Sequence, residues 1–106
     1  MGKYLLQASY TQEGLAGLSK EGGTSRRAAL TETIEGAGGT LESFYYAFGK
    51  DDLFIIADLP DDAAATAVSL ALGAAGALTV SVTVLVTAET VDEAIARSVP
   101  YRPPGS

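Results

Sequence analysis

The chain has 106 residues, with no cysteine and no histidine. That composition excludes disulfides, thiolate nucleophiles, His-based triads and His-ligated haem or iron, so any catalysis would rest on carboxylates, Tyr, Lys, Arg or a bound group. Seven basic residues against thirteen acidic ones leave a net charge of −6, which repels phosphate backbones and anionic lipid surfaces and argues against nucleic-acid or membrane partners.

Residues 3–10 (KYLLQASY) alternate between two faces, as a strand does. From Thr11 the period lengthens: Thr11 and Glu13 mark a helix start, and Leu15 and Leu18 stand three apart. Gly22-Gly23 in KEGGTSRR predicts a break or kink, with Thr24 or Ser25 capping a fresh turn. The helix then runs over 25–36 with Ala29, Leu30 and Ile34 apolar, and GAGG (36–39) stops it. Residues 40–48 and 53–59 read as two strands joined by Gly49-Lys50-Asp51-Asp52, a hairpin. Adjacent aspartates at a wet turn tip serve turn geometry, because paired catalytic carboxylates need burial to separate their pKa values. Gly49 is expected to permit the turn and Asp52 to brace it through a backbone hydrogen bond.

Pro60 closes the second strand, and Asp61-Asp62 bring negative charge to the start of an Ala-rich helix over 62–76. Residues 78–87 (LTVSVTVLVT) form the clearest strand. Thr87 caps a last helix over 88–98, carrying Val91, Ala94 and Ile95. One domain therefore spans 1–98, and residues 99–106 form an extended, Pro-rich tail. The start MGKYLLQASY lacks the pattern of a signal peptide, and Ala63–Leu78 is too short and too interrupted to span a bilayer. A soluble, cytoplasmic protein is expected.

This order is β-α-β-β-α-β plus a C-terminal helix: an α+β, ferredoxin-like arrangement with an antiparallel four-stranded sheet. Sorting strand residues by face places Tyr4, Leu6, Phe44, Tyr46, Phe48, Ile55, Val80, Val82, Val84 and Val86 on the side that the helices should cover. The other face carries Leu5, Gln7, Ser9, Leu41, Tyr45, Phe54, Ile56, Asp58, Thr83 and Leu85. It is too apolar for water and too polar for an ordinary core, so a second copy laid against it is the economical solution.

The segments KYLLQASYTQEG, KEGGTSRRAAL, GAGGTLESFYYAFGKDDLFIIADLP and TAETVDEAIARSVPYRPPG resemble, in order and spacing, the GYD domain family of small bacterial proteins. The resemblance implies a dimeric α/β barrel. Proteins sharing that barrel include quinone-forming monooxygenases, haem-degrading enzymes, isomerases and ligand binders, so the fold alone selects no activity. At the hairpin, Gly49 and Asp52 match the family's motif, while Asp51 stands where its Tyr is expected.

Asp58 and Tyr45 are the candidates for proton transfer, since a carboxylate lining a cavity has the chemistry of a general acid or base. The competing reading places Asp58 at the sheet's end, where it caps helix 62–76 or pairs with an Arg. Gln7, Ser9 and Thr83 are candidate ligand-binding residues on the same face. GGTSRRAAL offers free backbone N–H groups at a helix start and two adjacent arginines, Arg26 and Arg27, able to clamp a carboxylate or phosphate; these same arginines could instead pair with Glu32, Glu35 or a partner subunit. The leading expectation is a homodimer or higher homo-oligomer that binds a small organic anion, without cofactor or metal. A cofactor-independent monooxygenase or isomerase using Asp58 and Tyr45, or a structural subunit with no ligand, are the alternatives.

Overall fold

Alternation in the first ten residues does produce a strand. The computed structural model describes Gly2–Ser106, and β1 runs from Gly2 to Tyr10 with Tyr4, Leu6 and Ala8 buried and their neighbours half-buried. At Thr11 the chain turns into α1 (Gln12–Glu21), whose first turn is capped by the Thr11 hydroxyl accepting from the Gly14 N–H at 3.0 Å. Gly22 then adopts φ 94°, a left-handed conformation that a side chain would resist. It ends α1 and serves as N-cap of α2 (Gly23–Gly36) with no side-chain cap bond. The second helix thus begins two residues earlier than expected, and Thr24 and Ser25 lie inside its first turn rather than capping it.

The hairpin follows as β2 (Thr40–Tyr46) and β3 (Leu53–Leu59). β2 stops two residues short of expectation. The Ala47 N–H donates to the Asp52 carbonyl at 2.9 Å, and Phe48, expected in the core, swings out to 105% exposure. Within β2 the register shifts between Leu41 and Ser43, a bulge that sets Leu41 opposite Ala57. One extra residue flips everything before it, so Leu41 packs against the core instead of lying on the open face. α3 (Asp62–Ala74) is capped by the Asp61 carboxylate accepting from Ala64 N–H at 2.9 Å, and β4 (Leu78–Leu85) and α4 (Ala88–Ala96) complete the chain.

The sheet is open and antiparallel, ordered β2-β3-β1-β4. Leu6 sits at its centre, opposite Ile55 on β3 and Val82 on β4. α+β class, strand order and helix placement are compatible with the ferredoxin-like arrangement. α2 contributes Leu30 and Ile34 to the core, and α3 contributes Ala65 and Val68. Leu6, Leu30, Ile34, Leu53, Ile55 and Leu59 are fully buried, each worth about 1.5–3 kcal/mol of transfer free energy. No helix is long and apolar enough to cross a membrane among the described residues.

One part of the expected core is bare. Val82 and Val84 point to the helix side, yet α3 leaves them 37% and 60% exposed, and Val86, just past the end of β4, is 62% exposed. α4 does not cover them either. It buries none of its residues and projects with the tail away from the sheet. The radius of gyration is 16.9 Å, with extents of 56 × 33 × 22 Å, against about 13 Å for a compact chain of this length.

Candidate functional site

The open face of the sheet divides into three zones along β3. At one end Lys3 Nζ lies 3.2 Å from Asp58 and 3.0 Å from Glu42. These bonds, Glu42 first and Asp58 second, hold the Lys3 ammonium above its ordinary pKa. Asp58 therefore has a cation beside it, the structural role weighed against catalysis, though supplied by Lys3 rather than Arg. In the middle lie Leu5, Ile56 and Phe54. Tyr45 stands opposite Phe54 and is 70% exposed. Phe54 is four residues from Asp58, about 13 Å along the strand, so a single chain does not bring Asp58 and Tyr45 together. Thr83 sits on β4 opposite Leu5.

The far end belongs to the hairpin. Asp51 folds over the open face, accepting from Ser9 Oγ at 3.0 Å and from Gln7 Nε2 at 3.4 Å. Asp52 turns the other way. Its carboxylate accepts from the Tyr10 N–H at 2.9 Å, while its own N–H donates to the Ala8 carbonyl at 2.9 Å. The expected brace exists in the Ala47–Asp52 backbone bond, and Asp52 also ties the hairpin to β1. Gln7 and Ser9 are thus joined through Asp51, whereas Arg26 and Arg27 lie across the sheet on α2. The residues singled out from the sequence fall on two separate faces. Arg26 pairs with Glu21 at 3.3 Å, not with Glu32 or Glu35. Arg27 is exposed beside Thr24 and Phe44.

The most enclosed polar chemistry lies on the helix side, at a residue read from the sequence only as packing. Because Asp52 fixes its backbone at the end of β1, Tyr10 directs its ring between α1, α2 and the hairpin. On one side the ring walls an apolar cleft of about 260 Å³ with Leu15, Leu18, Tyr46 and Phe48, where Asp52 supplies the polar group. On the other it borders a wider cleft of about 430 Å³ carrying Glu13, Glu21 and Arg26. Between them the Tyr10 hydroxyl is shut off from solvent and has no hydrogen-bond partner. Neither Tyr46, whose hydroxyl donates to the Gly23 carbonyl at 3.0 Å, nor Arg26 reaches hydrogen-bond geometry with it. Burial, with Tyr46 adding to it and Arg26 opposing, pushes the Tyr10 phenol up to about 12. The signal in the sequence was two tyrosines at core-side strand ends, beside a Gly-Gly break that brings the α1–α2 junction down onto them.

The GYD domain family model matches residues 4–95 of this chain, from β1 through α4. The chain belongs to the GYD domain family. No curated protein and no solved structure matches it. In this GYD domain Asp52 carries the bond to β1, and Asp51 holds Gln7 and Ser9.

Proposed function

We propose that this GYD domain is a homo-oligomeric small-molecule-binding protein whose ligand, a compact and mostly apolar molecule carrying a neutral acceptor oxygen, binds at Tyr10. The observation that carries the reading is the orphaned Tyr10 hydroxyl beside an apolar cleft. A buried hydroxyl left unpaired costs about 1–3 kcal/mol, which an arriving acceptor recovers. Access runs past Arg26, whose part-exposed pair with Glu21 is worth at most about 1 kcal/mol. Moving that side chain costs less than the new bond returns.

An organic anion fits less well than the arginine pair suggested. Arg26 is engaged, and Glu13, Glu21 and Asp52 line the two clefts, so a carboxylate would meet more negative than positive charge. The oligomer rests on the open sheet face, where Leu5, Phe54, Ile56 and the exposed Tyr45 form an apolar strip between two polar ends. Two such faces packed about a two-fold axis close a dimeric α/β barrel.

Titration with acetophenone, benzoate and ethylbenzene, followed by amide chemical shifts, tests the ligand class. Acetophenone should bind best and shift residues around Tyr10, and Tyr10→Phe should weaken it about fivefold to tenfold. Equal binding of acetophenone and ethylbenzene, or no loss in Tyr10→Phe, would remove the hydroxyl from the site.

A further inference from the structure

α4 and the tail form an arm with nothing beneath it. Two residues separate the end of β4 at Leu85 from the start of α4 at Ala88, and Thr87 is extended at φ −79° and ψ 164°. The backbone therefore continues outward instead of reversing onto its own sheet. Val91 and Ile95 lie one turn apart on a single stripe with Ala88, yet both are exposed, as are Val99 and Tyr101 in the tail. The opposite face of α4 carries Glu89 and Glu93. An isolated helix of this length is marginal in water, so its apolar stripe needs a surface to hold it.

The same chain carries that surface. On the helix side of β4 a groove of about 270 Å³ runs beside α3, walled by Val82, Val84, Ala65 and Ser69, with Tyr4 and Asp62 at its end. Its dimensions match the helix. Nine residues of α4 extend about 13–14 Å at 1.5 Å per residue, long enough to cover Val82 and Val84, about 6.6 Å apart on the strand. Val91 and Ile95 are about 6 Å apart along the helix axis, and alternate valines of β4 stand about 6.6 Å apart, so the two rows interdigitate in register. Charge agrees as well. Asp62 closes the groove, its carboxylate accepting from Tyr4 Oη at 2.7 Å, and Arg102 has no ion-pair partner among the described residues.

We infer that the arm of one copy docks its Val91–Ile95 stripe into the β4–α3 groove of a second copy. Groove and helix occur once each per chain, so reciprocal exchange satisfies both and closes on itself. The contact uses the helix side of the sheet, so it is independent of the open face and of the Tyr10 cleft.

The absence of native cysteine makes the test direct. Val84→Cys and Ile95→Cys are made as separate chains, mixed, oxidised mildly and run without reductant, with Val84→Cys plus Glu93→Cys as the off-stripe comparison. Docking predicts a covalent heterodimer forming roughly tenfold or more faster than in the comparison, because the docked thiols meet at a high local concentration. Equal rates in the two mixtures would overturn the inference. A chain carrying both Val84→Cys and Ile95→Cys distinguishes the occupants. Dimeric product supports exchange, whereas a closed monomer, meaning that the arm folds back on its own sheet, or free thiols, meaning that it docks nowhere on this chain, would sink it. Circular dichroism of each variant checks that the fold is retained, and Val82→Cys substitutes for Val84→Cys if it is not.

Discussion

Tyr10→Phe removes one oxygen from the protein, and the structure gives that change an unusual sign. Tyr-to-Phe substitutions usually destabilise when the hydroxyl is bonded. Here the hydroxyl is sealed from solvent without a partner, so the folded state carries a desolvation cost of about 1–3 kcal/mol that phenylalanine does not. Taking the low end, a gain of about 1 kcal/mol raises Tm by about 4–8 °C in a domain of this size. Tyr46→Phe is the internal comparison, because that hydroxyl donates to the Gly23 carbonyl at 3.0 Å and its loss should cost about 0.5–1.5 kcal/mol. The two variants should therefore fall on opposite sides of the wild type in urea or thermal unfolding. Protein concentration must be the same throughout, since assembly couples to apparent stability. If Tyr10→Phe is destabilised as much as Tyr46→Phe, the hydroxyl is bonded in solution and the reasoning fails.

Other expectations follow from the same geometry. In an alkaline titration followed by tyrosinate absorbance, Tyr10 should ionise last, near 12. Because its folded pKa lies above the unfolded value, ionisation of this group leaves folding stability unchanged below about pH 10 and lowers it as pH rises toward 12; Tyr10→Phe should abolish the late phase. Gly14→Ala should cost about 1–3 kcal/mol, since an added methyl would run into the Ala77 carbonyl where α1 meets the start of β4; denaturant unfolding measures it. Asp52→Ala should speed hydrogen exchange at the Tyr10 amide and destabilise by about 1–3 kcal/mol, because the amide loses a charged acceptor at 2.9 Å; an unchanged exchange rate would show that the brace does not hold in solution. Ile56→Lys should lower the sedimentation coefficient if the open face pairs copies, whereas an unaltered oligomer would place the contact elsewhere.

Much of the fold was legible because period and punctuation agree. Alternation in KYLLQASY and LTVSVTVL gives β1 and β4, and Thr11, Asp61 and Thr87 each cap a helix as their chemistry dictates. What escaped was three-dimensional. The bulge at Leu41/Ser43 leaves no mark in the pattern, since one inserted residue looks like any other. Phe48 was sorted into the core by alternation alone, but the bond from Ala47 to Asp52 ends the ladder before it. The valines of β4 have core-like spacing, and only the length and position of α3 leave them bare. Asp58 could be read as a candidate acid because Lys3 lies 55 positions away in sequence, and strand pairing alone makes them neighbours. Tyr10 was overlooked for the reverse reason: an aromatic on a core face looks like packing, and the lack of a partner for its hydroxyl emerges only when the surrounding atoms are placed.

The outer strand has a further consequence. From Ala63 to Ala88 no side chain carries a charge, and β4 lies at the rim of the sheet with its outward row of amides and carbonyls open to another strand. Sequences of this kind, rich in Val and Thr and free of Pro, are templates for edge-to-edge stacking. Preparations nicked by proteases near residue 87 should therefore drift toward fibrillar aggregates. A lysine at Ser81, on the side away from the helices, would act as a gatekeeper against that drift and leave the groove intact.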